Sequence, residues 1–189
     1  MLNYFKFVEI LISVQSIFIS TMIPVFISIP LTNNLKYSYE FPITLQIPII
    51  ILLTLIFKSR VSFVSLTIYI LLGLFFIPVF HQGGSLGYLL APNFGYLIGY
   101  YPLIKIIDNL NKKNKIYINE FLKTSIVAIV YMHITGIIYS LIQILYYKQF
   151  DLFLYNLGSY SLGKIGYHFL MLIPLTLLIK PINYLRINK

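Results

Sequence analysis

Residues 76–101, FIPVFHQGGSLGYLLAPNFGYLIGYY, place helix-breaking and amide residues in an otherwise apolar and aromatic run. The stretch contains two prolines, five glycines, one histidine, one glutamine and one asparagine. Irregular backbone at membrane depth is stable only where it is buried in protein or lines a cavity. Whether the chain lies in a membrane therefore decides how this stretch is interpreted.

The composition of the 189-residue chain identifies an integral membrane protein. Hydrophobic residues make up 59% and charged residues only 10% of the chain, with a mean hydropathy of +0.86, which exceeds what a soluble core needs. The chain has no cysteine, so disulfides, thiolate metal sites and thiol nucleophiles are excluded. Basic residues of membrane proteins mainly set orientation, so the net charge of +9 does not indicate a nucleic-acid partner.

Apolar segments divide the chain into six predicted membrane spans. Each crossing needs about 20 largely apolar residues. We therefore predict an all-α, six-helix membrane bundle that forms one domain over residues 1–189. The spans are residues 8–30, 43–57, 61–80, 86–107, 121–147 and 162–182. We interpret the first as a retained span, because no small-residue cleavage site follows its apolar run.

Basic residues concentrate on one side of these spans. With six spans, both termini and the second and fourth loops share a side. That side carries 11 of the 14 basic residues: Lys6, Lys58, Arg60, Lys105, Lys112, Lys113, Lys115, Lys123, Lys180, Arg186 and Lys189. The other side carries Lys36, Lys148 and Lys164. The positive-inside rule therefore predicts that both termini are cytoplasmic, with outer loops at residues 32–41, 81–85 and 148–160.

Two further unusual stretches fall on the same outer side as the glycine-rich run. They are EFPITLQ at residues 40–46, which enters the second span, and NLGSYSLGKIGYHF at residues 156–169, which enters the sixth. Three separate polar motifs thus meet at one depth. Because such motifs at membrane depth line cavities, we predict an outward-facing pocket between spans two, four and six, covered by the first and third outer loops.

Four motifs of the chain resemble, in order and spacing, those of the BioY family. They are PITLQ at 42–46, YILLGLFFIPVF at 69–80, GGSLGYLLAPNFGYLIGY at 83–100 and GSYSLGK at 158–164. The family consists of six-helix, biotin-binding S components of energy-coupling factor (ECF) transporters. The resemblance implies a vitamin-capture subunit in a prokaryotic cell membrane, which is not an enzyme and holds no cofactor. It also implies association with a membrane T subunit and ATPase subunits.

The chain departs from the family motifs at a few positions. The family's GPTGGYL reads APNFGYL here, so Ala91, Asn93 and Phe94 replace glycine, threonine and glycine. The family's aspartate in GDxxK is replaced by Ser161, while Lys164 keeps its place. A hydroxyl is a weaker acceptor for a ureido N–H than a carboxylate is. An S component for another small vitamin therefore stays open as an alternative.

Lys164 is the residue that the resemblance implies as counter-ion for the ligand carboxylate. A lone lysine near the start of a membrane helix is disfavoured by the positive end of the helix dipole. At mid-bilayer a lysine costs about 2.5 to 3.5 kcal/mol on insertion scales. The alternative is an interfacial lysine whose charged end reaches water at little cost.

Amide side chains are candidates for the ureido group. Pro92 removes a backbone donor inside the fourth span, and the adjacent Asn93 offers both a donor and an acceptor. Gln46 offers the same pair near the start of the second span. The alternative is interhelical hydrogen bonding, worth about 0.6 kcal/mol on average. Gly84 is also predicted to border the ligand, with helix packing as the alternative.

Aromatic and imidazole side chains complete the predicted ligand site. Tyr88 and Tyr96 share a helical face and could wall the apolar ring of biotin, although packing and membrane-interface roles explain most tyrosines. Ser161 and Lys164 precede His168 on the sixth span, and His168 lies four residues after Lys164 on one face. Packing is the alternative role for His168.

Catalysis and metal binding find no support in the sequence. The three histidines, His81, His133 and His168, are spread over separate segments without metal-ligand spacing. A six-helix membrane enzyme or assembly factor is therefore the less favoured alternative. Without a phosphate-binding loop, the chain cannot itself hydrolyse ATP. Ser16 and Ser20 on span one have the small-residue spacing that permits close helix approach, either to a partner subunit in the lipid or within the chain.

Overall fold

The structure is a computed structural model that describes residues 4–32, 35–80, 83–148 and 150–187. Its helices are α1 (Tyr4–Met22), α2 (Gln46–Phe75), α3 (Asn93–Ile98), α4 (Tyr100–Asn111), α5 (Ile118–Tyr147), α6 (Phe150–Asn156), α7 (Gly163–Leu170), α8 (Leu172–Thr176) and α9 (Ile179–Ile187). A 3-10 turn at Leu86–Leu90 precedes α3, and a π-helical turn at Leu157–Leu162 connects α6 to α7. Strands β1 (Pro24–Thr32) and β2 (Leu35–Thr44) form one hairpin.

The described chain is predominantly helical, and its nine helices group into six helical segments, as predicted. Three helices are long and apolar enough to cross a membrane: Tyr4–Met22, Gln46–Phe75 and Ile118–Leu145. The pair Phe150–Thr176 and Ile179–Arg186 makes a fourth candidate, bent by 57°, if it is counted as one span. The division into six spans with the boundaries given above stays a prediction.

The predicted first span extends further than the helix that forms it. The span reaches residue 30, whereas α1 ends at Met22 and β1 begins at Pro24. Pro24 has no amide hydrogen for a continuing helix, and the β-branched residues that alternate after it favour an extended strand. Most of the outer loop predicted at residues 32–41 therefore belongs to the β1–β2 hairpin.

The second and third predicted spans fall mostly on the two halves of α2, separated by a break at Lys58. The second span begins earlier than the helix, since residues 43–44 belong to β2, and the third extends beyond Phe75, where α2 ends. Lys58 has φ 68° and ψ 163°, a backbone region that is rare for residues with a Cβ. The 30 residues of α2 would measure about 45 Å as a straight helix, which exceeds the hydrocarbon thickness of about 30 Å. The break lies where the sequence predicts the short loop between the two spans.

Polar groups from the end of α4 support this break. Asp108 Oδ1 accepts a hydrogen bond from the Ser59 amide at 3.2 Å, so it caps the second half of α2. Asn111 Nδ2 donates to the Thr54 carbonyl at 2.7 Å in the first half and to Asp108 Oδ1 at 3.0 Å. One helix end therefore holds both halves of α2 in place.

The core is centred on α4, which packs against both α2 and α5, while α1 covers α2 and α3 packs on α5. The largest side chains with almost no exposed surface include Ile51, Leu66, Leu103, Ile107 and Phe121. By contrast, α1 and α5 each keep an exposed apolar face, as expected for helices that contact lipid.

A polar clamp fastens the loop between α4 and α5 to α9. Asn183 Oδ1 accepts from the Ile116 amide at 2.9 Å, and Asn183 Nδ2 donates to the Ile116 carbonyl at 2.9 Å. Arg186 Nη2 donates to the carbonyls of Asn111 and Lys113, each at 2.9 Å. The Asn111 carbonyl lies at the end of α4, where carbonyls lack intrahelical partners, and the Lys113 and Ile116 carbonyls lie in the loop that follows.

Candidate functional site

A cavity of about 340 Å³ lies under the β1–β2 hairpin, at the end of the bundle where α4 begins with Tyr100. Its size is near the lower limit of small-molecule pockets, which range from about 300 to 1,000 Å³. It is lined by Thr21, Pro24, Glu40, Phe41, Pro42, Ile43, Thr44, Gln46, Ile47, Tyr69, Phe80, Tyr88, Asn93, Tyr96, Leu97, Tyr100, Met132, Tyr160, Lys164 and His168. The hairpin, α1, α2, α3, α5 and α7 therefore all contribute.

The structure brings six of the eight predicted site residues to this cavity. Its lining includes Gln46, Tyr88, Asn93, Tyr96, Lys164 and His168. The three polar motifs of the sequence therefore meet in one space. The β1–β2 hairpin contributes Glu40, Phe41 and Pro42 to the cover, and Tyr160 contributes from the end of the third predicted outer loop.

The other two predicted residues, Ser161 and Gly84, do not line the cavity. Ser161 is only 2% exposed, and its Oγ lies 2.6 Å from the Tyr96 hydroxyl behind the cavity wall. Gly84 packs against backbone, since a Cβ there would lie 2.5 Å from the Gly73 carbonyl oxygen and 2.7 Å from Pro78 Cα. Gly84 is therefore needed for close backbone approach.

Gln46 begins α2 with its amide held in one orientation. The side chain is 6% exposed, and the Tyr100 hydroxyl donates to Gln46 Oε1 at 2.9 Å. Gln46 Nε2 has no hydrogen-bond partner among the described residues. A buried amide donor of this kind is destabilising unless it finds a partner, so this N–H is suited to donate to a ligand carbonyl in the cavity.

Aromatic rings form one wall of the cavity. Phe80 lies between Tyr69 and Tyr88, with ring centroids at 5.5 and 4.4 Å. The Tyr69 hydroxyl lies 3.2 Å from Thr21 Oγ1. The same hydroxyl donates to the Val79 carbonyl at 3.2 Å. This wall presents apolar ring surface with hydroxyls fixed at its edge, which suits a ligand that is partly apolar and partly polar.

Lys164 supplies a positive charge to the lining. Its Nζ lies 5.2 Å from the centroid of the Tyr160 ring, within the range of a cation–π contact. In the part of the chain that the structure describes, Lys164 forms no ion pair with a carboxylate. Its charge is therefore available to an anionic ligand group.

A hydrogen-bonded cluster behind the cavity includes His133, which the sequence analysis did not place in the site. His133 Nδ1 lies 3.2 Å from Ser161 Oγ, and His133 Nε2 lies 3.0 Å from His168 Nδ1. The sequence signal was a histidine within an otherwise apolar span. A single sequence does not show which faces of spans five and six meet, so this signal could not identify a partner.

The β1–β2 hairpin is joined to α7 across the cavity mouth. The hydroxyls of Tyr39 and Tyr167 lie 3.2 Å apart, and the Phe41 and Tyr167 ring centroids lie 5.2 Å apart. Phe41 also lines the cavity. The hairpin therefore covers the cavity, and Tyr39 and Phe41 attach it to the helix opposite.

The two serines of α1 that were predicted to permit close helix approach differ in their surroundings. Ser20 is 2% exposed, and its Oγ donates to the Ile17 carbonyl at 2.8 Å. Together with Ser13 and Ile17 it lies on the buried face of α1, which packs on α2. Ser20 therefore serves packing within the chain, and Ser16 lies on a different, more exposed part of the helix.

Other sequence expectations concern metals and His81. Among the described residues there is no cluster of three histidine or acidic side chains that could hold a metal ion. His81 lies outside the described residues.

Comparisons with known proteins agree on one family. The model of the BioY family matches residues 5–177. A probable biotin transporter BioY of Lysinibacillus sphaericus is 42% identical over 80 residues, which is 42% of this chain and 37% of that protein. A probable biotin transporter BioY of Pyrococcus horikoshii is 31% identical over 96 residues, 50% of this chain and 56% of that protein. The matched stretches thus span 37% and 56% of the length of these relatives.

A solved structure has the same fold. The crystal structure of the S component for biotin from an ECF-type ABC transporter matches with a TM-score of 0.60 and covers 95% of each chain. Sequence identity to it is 18%, so this match describes the fold.

Proposed function

The chain belongs to the BioY family, and on this basis we propose that it is the biotin-capturing S component of an ECF-type transporter. The observation that carries the proposal is the cavity, in which Lys164, the Gln46 and Asn93 amides and an aromatic wall meet. Biotin carries one carboxylate, one cyclic urea and an apolar ring between them. Each of these groups has a chemically matched partner in the lining.

In this proposal Lys164 binds the carboxylate. A charge-assisted hydrogen bond is about twice as strong as a neutral one, and the surroundings of Lys164 are partly apolar. The Gln46 amide N–H donates to the ureido oxygen, and its fixed orientation through Tyr100 avoids an ordering cost on binding. Tyr69, Phe80 and Tyr88 contact the thiophane ring.

Transport requires partners that this chain does not supply. Since no phosphate-binding loop is present in the sequence, energy for uphill uptake comes from ATPase subunits through a membrane T subunit. Ser13, Ile17 and Ser20 form the buried face of α1. A contact between α1 and the T subunit would therefore use the exposed, opposite face of this helix. We propose a multi-pass location in a prokaryotic plasma membrane with both termini cytoplasmic.

Direct binding to purified protein tests the proposal. The chain in detergent or nanodiscs is titrated calorimetrically with biotin, and with thiamine, which carries a positive charge, as a mismatched vitamin. We expect saturable one-to-one binding of biotin and none of thiamine. A protein that is folded by circular dichroism but binds no biotin would contradict the proposal.

A second ligand class is favoured by one observation. Ser161, at the position of the family's aspartate, faces Tyr96 and His133 instead of the cavity. The cavity therefore lacks a carboxylate acceptor at this point, and an S component for another small carboxylate-bearing vitamin is the alternative. Competition against labelled biotin distinguishes the two ligands. If another vitamin is the true ligand, it should displace labelled biotin at a lower concentration than unlabelled biotin does.

A further inference from the structure

Four side chains form a hydrogen-bonded chain that leaves the cavity and returns to it. It runs from the Tyr96 hydroxyl to Ser161 Oγ at 2.6 Å, on to His133 Nδ1 at 3.2 Å, and from His133 Nε2 to His168 Nδ1 at 3.0 Å. The two ends, Tyr96 and His168, line the cavity. The two middle members, Ser161 and His133, are each 2% exposed. The chain thus joins α3, α5 and the segment from the π-helical turn to α7.

Burial favours the neutral form of both imidazoles, His133 and His168. Lys164 lies four residues before His168 on the same helical face and lines the same cavity. A second cation beside it, on a ring that is 8% exposed or less, would be buried without a carboxylate partner. A neutral imidazole has one donor nitrogen and one acceptor nitrogen, so the two hydrogen bonds of His133 must run in the same direction.

This constraint ties the two ends of the chain together. When His133 Nδ1 accepts from the Ser161 hydroxyl, Ser161 Oγ accepts from Tyr96, and the Tyr96 oxygen can only accept from a ligand. His133 Nε2–H then donates to His168 Nδ1, which leaves His168 Nε2–H as a donor. In the reverse direction His133 Nδ1–H donates to Ser161 Oγ, and the Ser161 hydroxyl donates to the Tyr96 oxygen, so the Tyr96 hydroxyl is free to donate to a ligand. His168 Nδ1–H then donates to His133 Nε2, which leaves His168 Nε2 as an acceptor.

We propose that His133 is a positioning residue that couples Tyr96 and His168, so that one presents a donor to the ligand whenever the other presents an acceptor. The pocket then favours ligand edges that carry a donor and an acceptor side by side. A cyclic urea, with an N–H beside a C=O, is such an edge, and this part of the inference rests on the proposed function. The direction of the chain reverses without a net change of charge.

The first test does not depend on any ligand. Protein labelled with ¹⁵N-histidine gives signals from only three histidines, and His81→Gln identifies the third. Nitrogen chemical shifts report the tautomer of each ring. We expect His133 and His168 to be neutral and in the same tautomer, both protonated on Nε2 or both on Nδ1. Opposite tautomers, or an imidazolium on either ring at neutral pH, would overturn the proposal.

A second test measures coupling in binding. Biotin affinity is determined for Tyr96→Phe, His168→Phe and the double variant. The same three measurements are repeated in a Ser161→Ala background, which lacks the hydroxyl that links Tyr96 to His133. Interacting residues deviate from additivity by about twofold or more, and we expect such a deviation only while Ser161 is intact. Additive losses in the wild-type background would refute coupling.

The two tests separate the possible failures. If biotin does not bind at all, the proposed function is wrong, and the tautomer measurement still decides whether His133 couples its neighbours. If biotin binds but the tautomers differ, the proposed function stands and the coupling does not.

Discussion

At the scale of single residues, Lys164 gives the sharpest expectation about ligand charge. It lines the cavity and forms no ion pair within the described chain. A hydrogen bond to a charged group contributes about 1.5 to 3 kcal/mol, so Lys164→Ala should weaken biotin binding by ~10- to 150-fold. Calorimetric titration of both proteins measures the change.

Two controls test whether the charge is the cause. Biotin methyl ester lacks the carboxylate, so it should bind the wild type poorly and be little affected by Lys164→Ala. Lys148→Ala removes an exposed lysine that is not part of the lining and should leave affinity unchanged. Equal losses for acid and ester in Lys164→Ala would show that the lysine is structural.

The Gln46 and Tyr100 pair should show the energetics of a buried polar contact. Tyr100→Phe leaves Gln46 Oε1 without its donor, which is expected to destabilise the protein by about 1 to 3 kcal/mol. Replacing both partners, as in Gln46→Met with Tyr100→Phe, should recover part of this loss, since no polar group is then left unpaired. Thermal unfolding in detergent measures stability. A double variant less stable than Tyr100→Phe would contradict the expectation.

Several site residues could be predicted because their motifs stand out in an apolar chain. Gln46, Asn93 and Lys164 are polar groups at one predicted depth, and the structure places all three on one cavity. The roles of Ser161 and His133 were harder to predict, because they depend on which faces of two helices meet. Side-chain direction around a helix follows from packing, which one sequence does not reveal.

At the scale of elements, the break in α2 depends on a carboxylate from α4. Burial raises the pKa of Asp108, but the hydrogen bonds from Asn111 and Ser59 and the charge of Lys112 outweigh it and hold the pKa below its ordinary value. Because the folded pKa is lowered, the stabilisation is fully present above the unfolded pKa of about 3.9. It is lost as the pH falls through the folded value.

Asp108→Asn is the matched variant for this pH dependence. An asparagine can keep an oxygen acceptor for the Ser59 amide, but it does not titrate. Wild type should therefore lose more stability than Asp108→Asn when the pH is lowered from 6 to 3, measured by thermal unfolding. Parallel pH profiles for the two proteins would show that Asp108 contributes no pH-dependent stability.

The hairpin is the element that sequence reasoning missed. Residues 23–30 continue the apolar run of α1, and a short apolar run does not distinguish a helix from a buried strand. Pro24 and the β-branched residues after it were the available signals. The break in α2 was easier to locate, since the charged residues Lys58 and Arg60 interrupt two long apolar segments.

At the scale of the whole molecule, the orientation in the membrane is a prediction that cysteine labelling can test. The chain has no cysteine, so single cysteines can be introduced without a background. With cytoplasmic termini, Lys113→Cys should be inaccessible to an impermeant thiol reagent added outside intact cells. Ser38→Cys in the β1–β2 hairpin, an exposed position, should react. The opposite pattern would invert the topology.

The clamp between α9 and the loop after α4 has a consequence for how the protein is made. Asn183 lies 67 residues after Ile116, and Arg186 lies 75 residues after Asn111. During synthesis the loop therefore leaves the ribosome well before the side chains that satisfy its backbone. Until α9 is in place, those carbonyls have to accept hydrogen bonds from water or from the insertion machinery. Insertion of the earlier helices is thus a provisional stage, and the bundle is locked only when α9 is in place.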